Sequence, residues 1–295
     1  VNYSNFVIHK MNKQTLPAPL HEPADIRPGQ SVDLLKALHI LTRDGKLNQD
    51  SRRKLKQVYH LIQFIEPLLI EVRERQGSIT LVDQGAGKSY LGFILYDLFF
   101  KNQTNADQVI GVETRAPLVE QAVALASRLQ FTGMRFVQAT VEQAWDATPD
   151  QVDIVTALHA CDTATDDAIA YALRKRARHI VLVPCCQAEV ATHLRQRKST
   201  GPAAPPLAEL WRRPLHTREF GSQVTNVLRG LQLEAHGYQV TVTELVGWEH
   251  SLKNELIVAS KIQTHNAHAT QRLQNLLAAL NLSQLDSRFF VPGRP

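Results

Sequence analysis

Asp83, Gly85 and Gly87 fall within VDQGAGKSYLG, a stretch beginning at Val82 whose residue types suit a bound ligand better than a packed core. The apolar run Ile79-Thr80-Leu81-Val82 reads as a buried strand ending at Asp83, and a helix is expected from near Lys88. Between them Gly85 and Gly87 form a tight turn. A strand, a Gly-rich turn and a helix bring backbone N–H groups and a positive helix end toward a ligand. Three ligands fit that chemistry: a phosphate, a dinucleotide, or the amino-acid end of S-adenosylmethionine.

Spacing separates the three. Gly87-Lys88-Ser89 imitates the end of a Walker A motif, but that motif needs a Gly where this chain has Val82. The loop is too short to wrap a triphosphate. For a dinucleotide, the third small position falls on Tyr90, where packing of helix on strand wants Gly or Ala. What remains is D-x-G-x-G at a strand end. A second run, Val109-Ile110-Gly111-Val112, ends in Glu113, and a carboxylate there can accept both hydroxyls of an adenosine ribose. Asp83, Gly85, Gly87 and Glu113 together resemble motifs one and two of class I methyltransferases, with Gln84 and Thr114 beside them.

The elements that position these residues alternate. Strands are expected near 79–83, 109–113, 134–138, 152–158 and 179–183, with helices near 88–100, 115–130, 140–146 and 164–177. That alternation implies a parallel sheet with helices on both faces. Two later strands, 238–246 and 255–261, are joined by a loop too short for a crossover helix, so they run antiparallel. The expected fold is α/β, a doubly wound Rossmann-like methyltransferase sheet with an antiparallel last strand and a helical N-terminal extension. Residues 1–30 hold four prolines and read as an extended arm. Residues 31–41 and 51–74 read as amphipathic helices, the second capped by Asp50 or Ser51 and crowded at its start by Arg52, Arg53, Lys54 and Lys56. Three regions follow: an arm and helical extension (1–75), a methyltransferase domain (76–262) and a C-terminal helix, 271–282, with a tail (263–295).

Composition sets bounds on the function. The chain has 295 residues, 44% hydrophobic and 21% charged, ordinary for a globular protein. No apolar run approaches the roughly 20 residues needed to span a membrane. The polar start, Val1 to Ser4, carries no signal-peptide pattern, and a start without Met reads as trimmed. Three cysteines, two adjacent, make no disulfide framework, so a cytoplasmic setting is expected. The net charge of +5 is uneven: residues 1–75 and 191–220 each carry +4, and residues 76–190 carry −4. An acidic core flanked by basic segments suits a polyanionic substrate, although solvated surface charge would look the same.

In an open α/β sheet, ligands lie beyond the carboxyl ends of the strands. Strand four ends Leu158-His159-Ala160-Cys161-Asp162, and strand five ends Pro184-Cys185-Cys186-Gln187, so all three cysteines fall at neighbouring strand ends. LHACDTATDDA (158–168) followed by PCCQ (184–187) resembles the methyltransferase domain of a bacterial family with relatives among eukaryotic methyltransferase-like proteins and tRNA ribose 2′-O-methyltransferases. LTRDGKLNQDSRRKLKQVYH (41–60) and VTELVGWEHSLKNELIVASK (242–261) look typical of the bacterial group. The zinc-finger segments of the tRNA enzymes are missing. The resemblance implies that Asp83, Gly85, Gly87 and Glu113 contact S-adenosyl-L-methionine, Thr140 and Val141 its adenine, and Leu158 and His159 its methionine end.

Methyl transfer from a sulfonium is an in-line displacement, so placement of the acceptor supplies much of the catalysis. His159 or Asp162 could serve as base, since a His titrates near neutrality, or His159 could merely bind a carbonyl. Cys161 and Cys185 fall where RNA cytosine-C5 enzymes keep two cysteines, which makes Cys185 a candidate nucleophile. A zinc site built from His159, Cys161, Cys185 and Cys186 is the remaining alternative. The expected substrate element is a basic, Pro-rich insertion at about 195–218, where Arg195, Arg197, Lys198, Arg212 and Arg213 would hold phosphates and Trp211 would stack a base. Packing of Trp211 into the core is the competing reading. The turn Gly247–Ser251 would line the same mouth. The sequence thus points to an S-adenosylmethionine-dependent methyltransferase acting on RNA, tRNA or rRNA, without a metal. A small molecule or protein as acceptor, or a non-catalytic RNA-binding or partner-binding module, stays open.

Overall fold

The computed structural model describes residues 26–47, 49–103, 106–158, 160–185, 187–196, 206–245 and 255–289. Two helices lead, α1 (Val32–Ala37) and α2 (Gln49–Gln76). The alternating region follows as β1 (Thr80–Gln84), α3 (Tyr90–Phe99), β2 (Gln108–Glu113), α4 (Ala116–Arg128), β3 (Met134–Gln138), α5 (Ala144–Ala147), β4 (Ile154–Leu158), α6 (Thr163–Arg174) and β5 (His179–Val183). After it come α7 (Glu189–Gln196), a 3-10 turn (Pro206–Trp211), α8 (Pro214–Ala235), β6 (Tyr238–Glu244) and β7 (Glu255–Lys261). The described chain closes with α9 (Ala267–Ala279), a second 3-10 turn (Ser283–Leu285) and α10 (Asp286–Phe289).

The strands form one seven-stranded sheet in the order β3-β2-β1-β4-β5-β7-β6. β1 to β5 pair in parallel, β7 runs antiparallel to β5, and β6 runs antiparallel to β7. This is the doubly wound sheet with an antiparallel finish that the sequence implied. The central strands are mainly apolar because helices cover both faces: Ile154, Val155, Ile180, Val181 and Leu182 are all fully buried. On one face the stripe Leu55, Tyr59, Ile62, Ile65, Leu69 and Val72 of α2 joins α1, α3 and α4 in a single cluster with Leu81 and Ile154. On the other face α5, α6 and Leu233 of α8 pack against Val82, Val155 and Ile180. The winding reverses between β1 and β4, which opens a crevice at their carboxyl ends.

Several local expectations change. The helix expected over 31–41 stops at Ala37, because His39 turns left-handed (φ 55°) and folds Ile40 and Leu41 back into the core. α2 starts at Gln49, so Ser51 lies within its first turn and donates from Oγ to the His39 carbonyl instead of capping. The helix also runs through Pro67, where burial of its long apolar stripe outweighs one lost backbone hydrogen bond. α9 begins earlier than expected, at Ala267, because Asn266 accepts from the Ala269 N–H as its N-cap. The largest departure is α8. Its 22 residues carry a helical stripe, Val224, Leu228 and Leu231, that joins α7, α9 and α10 in a third buried cluster. The arm at 1–25, the loop 197–205 and the turn Gly247–Ser251 lie outside the described residues.

Candidate active site

The turn between β1 and α3 is built from left-handed backbone. Gly85 (φ 66°), Gly87 (φ 58°) and Ser89 (φ 52°) all take conformations that disfavour a side chain, and two of the three are Gly for that reason. The turn is pinned from below by the Ala86 N–H to the Val112 carbonyl (2.9 Å) and the Ser89 N–H to the Ala86 carbonyl (2.7 Å). A Cβ on Gly85 would meet nothing within 4 Å, so the space before that residue is open. Beside it, neither amide atom of fully buried Gln84 has a hydrogen-bond partner among the described residues, and the same holds for the Ser89 hydroxyl.

Two carboxylates flank this turn, and their surroundings drive them in opposite directions. Asp83 is buried near the end of β1, where the Thr156 hydroxyl of β4 donates to it at 2.6 Å. Burial pushes its pKa up to about 7 against the lowering effect of that hydrogen bond. Glu113, at the end of β2, accepts from the Gly87 N–H (2.8 Å), the Arg115 N–H (3.0 Å) and the Arg115 guanidinium at Nε (2.9 Å) and Nη2 (3.1 Å). The guanidinium hydrogen bonds hold its pKa down to about 2, against partial burial and with help from the two backbone donors. Arg115 itself is 65% exposed.

The remaining expected contacts lie on the same carboxyl edge. Thr140 and Gln143 bond reciprocally after β3, the Thr140 N–H to Oε1 (3.0 Å) and the Gln143 N–H to the Thr140 hydroxyl (3.3 Å). That turn leaves Thr140 exposed and Val141 half-buried. Leu158 ends β4 half-buried, and Thr114 donates from its hydroxyl to Glu113 at 3.3 Å. His159 and Cys186 lie outside the described residues. Asp162 Oδ1 accepts from the N–H groups of Ala188 (2.8 Å) and Glu189 (3.3 Å), so that oxygen caps α7. The thiols of Cys161 and Cys185 lie 3.4 Å apart, across the ends of β4 and β5. Among the described residues no group of three His, Cys, Asp or Glu could hold a metal ion.

A buried polar network below this edge was not anticipated. Arg229 of α8 has no exposed surface and grips Asp166 of α6 through Nε (2.7 Å) and Nη2 (2.8 Å). It also donates to the Asp162 carbonyl (2.8 Å) and to Asn226 Oδ1 (3.2 Å). Asn226 donates to Glu255 and accepts from Gln187, which in turn accepts from the Ser222 hydroxyl. The network joins the loop after β4 to the loop after β5. Its signal in the sequence is Arg229 placed on the apolar stripe Val224-Leu228-Leu231, where a cation requires a buried partner.

The basic insertion is mostly helical. Arg195 ends near the close of α7, and Arg212 and Arg213 precede α8, all three exposed. Arg197 and Lys198 lie outside the described residues. Trp211 is a correction: it is 8% exposed and stacks on Phe220 (centroids 5.6 Å apart) inside the third core cluster, so no base can stack on it. Arg212 pairs with Glu209 at 2.8 Å.

Residues 53–193, just under half of the chain, match the family model described as a methyltransferase domain. Among curated proteins, the chain is 24% identical over 245 residues to a glutathione S-transferase C-terminal domain-containing protein of Bos taurus, covering 75% of this chain and 35% of that protein. It is 26% identical over 260 residues to the homologue from Drosophila pseudoobscura pseudoobscura, covering 78% of this chain and 40% of that protein. The chain thus spans little more than a third of the length of these relatives. Among solved structures, the SAH-bound Podospora anserina methyltransferase PaMTH1 superposes with a TM-score of 0.44 at 9% identity, covering 79% of this chain and 88% of that one. No described helix is long and apolar enough to cross a membrane.

Proposed function

We propose that the chain is an S-adenosylmethionine-dependent methyltransferase whose acceptor is RNA, with tRNA or rRNA as the expected species. The observation that carries the cofactor site is the open space at Gly85 between Asp83 and Glu113, with the Gln84 side-chain amide and the Ser89 hydroxyl nearby and without a partner among the described residues. The residues present fit the group. Glu113 offers two carboxylate oxygens to a ribose diol once Arg115 swings aside, and Asp83 faces the end where an ammonium would lie. Thr140 and Val141 would border the adenine, and Leu158 and His159 the methionine end. Bound there, S-adenosylmethionine would supply a methyl group on a sulfonium for displacement by the acceptor. The chain itself then has to exclude water, align the acceptor and remove its proton, for which His159 is the proposed base. Asp162 positions the β4 loop through its bond to α7 and is assigned no proton transfer.

Exposed cations support a polyanionic acceptor. Arg195, Arg212, Arg213, His216 and Arg218 are all exposed around the α7–α8 connection. Arg213 lies 16 positions before Arg229 on the α8 sequence, roughly 24 Å at 1.5 Å per helical residue. A small acceptor seated at the strand ends could not reach Arg213, whereas a nucleic-acid strand could. The test is calorimetric titration with S-adenosylmethionine against NAD as control, followed by transfer of labelled methyl groups to total RNA. Binding of the sulfonium ligand alone and label in RNA, reduced in R212E/R213E, are expected. Label in protein or small molecules, with none in RNA, would refute the acceptor assignment. Absence of binding with or without RNA would refute the cofactor site.

A further inference from the structure

We infer that Cys161 and Cys185 form a redox-modification site, a dithiol that a hydroperoxide converts into an intramolecular disulfide across the ends of β4 and β5. The argument begins with register. β4 and β5 are neighbouring parallel strands, paired from Ile154↔His179 to Leu158↔Val183. Cys161 and Cys185 each follow shortly after the last pair, and their sulfurs sit 3.4 Å apart. A disulfide needs about 2.05 Å between sulfurs and roughly 4.4–6.8 Å between Cα atoms, a span that brackets the usual spacing of neighbouring strands. Closing the remaining gap of about 1.4 Å asks only for small movements in two loops.

Reactivity follows from placement. Cys161 is exposed, and it directly precedes Asp162 at the N-terminus of the 12-residue helix α6. Asp162 gives that terminus no side-chain cap, because its carboxylate reaches across to α7. The positive end of α6 therefore favours a thiolate at Cys161, although the Ala164 N–H already bonds the Cys161 carbonyl (3.1 Å), and the nearby charge of Asp166 is neutralised by Arg229. Packing alone would explain one buried cysteine. It does not explain two thiols in contact at a mouth, one of them open to solvent.

The chemistry balances. The Cys161 thiolate attacks the terminal oxygen of the hydroperoxide, the O–O bond breaks, and Cys161 becomes a sulfenic acid while the other oxygen leaves with a proton as water or alcohol. Cys185 then attacks the sulfenic sulfur, the S–S bond forms, and the hydroxyl leaves as water. Two electrons pass from the two sulfurs to the peroxide, and two equivalents of a small thiol return them, leaving as their own disulfide. The bond would tie the loop after β4 to the loop after β5, the same two loops that Asp162 and Arg229 already connect. Its formation does not depend on the identity of the acceptor.

The experiment treats the reduced full chain with hydrogen peroxide, then alkylates and maps it by mass spectrometry. Expected is the loss of two of the three alkylatable thiols, a cross-linked peptide joining Cys161 to Cys185, and full recovery with dithiothreitol. In C185S, Cys161 should be trapped by dimedone as a sulfenic acid, a readout that shows the order of the steps and does not require wild-type stability. A cross-link between Cys185 and Cys186, a cross-link between chains, or three thiols still alkylatable after peroxide would each overturn the inference.

Discussion

Replacing Asp166 with Asn puts the buried network to a quantitative test. Arg229 and Asp166 are 0% and 3% exposed and meet through two hydrogen bonds of 2.7 and 2.8 Å. The substitution keeps the shape but leaves the guanidinium with only neutral acceptors: the amide oxygen, the Asp162 carbonyl and Asn226. Removing one partner of a buried pair costs about 3–5 kcal/mol. For a domain of this size that lowers the melting temperature by roughly 6–20 °C, at about 2–4 °C per kcal/mol. Replacing the pair with apolar groups of similar volume, in D166L/R229M, removes the stranded charge, and such exchanges are often neutral or stabilising. The double variant should therefore melt well above D166N. A cycle including R229M alone isolates the coupling of the pair. Differential scanning calorimetry is the assay. A fall of less than about 3 °C for D166N, or a double variant no more stable than D166N, would show that water reaches the pair and that the burial argument fails.

The other predictions follow from the two carboxylates and the basic connection. E113Q should weaken S-adenosylhomocysteine binding by about tenfold or more, since hydrogen bonds to a charged group contribute about 1.5–3 kcal/mol each, whereas R115A should bind it as well as or better than wild type. Titration calorimetry separates these, and equal losses in both variants would refute the exchange of Arg115 for ligand. Because the folded pKa of Asp83 is raised to about 7 from an unfolded value near 3.9, stability is fully present below pH 4, falls as pH rises toward 7, and then levels. D83N should flatten that profile and melt above wild type at pH 8, the penalty it removes being on the order of 4 kcal/mol; a D83N profile parallel to wild type would contradict the assignment. W211A should cost about 3–5 kcal/mol in stability as a core truncation, while R212E/R213E should leave stability unchanged and lower both RNA affinity and its salt slope. The reverse pattern in melting and filter-binding assays would return Trp211 to the surface.

Most of the sheet was legible in the sequence because its strands are short apolar runs bounded by Gly, Asp or Glu, a pattern that burial on both faces imposes. The antiparallel finish was legible too, from a connection too short to hold a crossover. α8 was not, because the prolines at 202, 205 and 206 and the charges around 212–218 suggest a loop, and Pro214 was read as part of it. In the folded chain Pro214 stands in the first turn of α8, where a missing N–H costs nothing. Trp211 was ambiguous for a related reason: its basic neighbours describe the outside of the element, and its partner Phe220 is nine residues away on a helix that had not been anticipated. That the Gly turn after β1 lies beside Glu113 at the end of β2 was readable from residue types alone. Arg115 was not, since no local pattern says whether an exposed Arg pairs with a carboxylate two positions earlier. The Arg229–Asp166 pair is 63 residues apart in sequence and required the tertiary fold.

Asp83 and Glu113 face the same turn, yet one is held near neutrality and the other far below it, and the difference lies in what each strand end can offer. β1 is interior, flanked by β2 and β4, so among the described residues Asp83 receives one hydroxyl and no cation. β2 opens onto the α4 side, so Glu113 receives two backbone donors and a guanidinium. A ligand bringing an ammonium to Asp83 would supply the missing cation and favour its ionised form, lowering its pKa and releasing a proton near neutral pH. A ligand bringing a diol to Glu113 would exchange donors for donors, with the exposed guanidinium returning to water. On the proposed reading, the amino-acid end of S-adenosylmethionine relieves an electrostatic deficit built into β1, while its ribose merely replaces a partner. The pH dependence of cofactor binding then belongs to Asp83, and the orientation of the ribose belongs to Glu113.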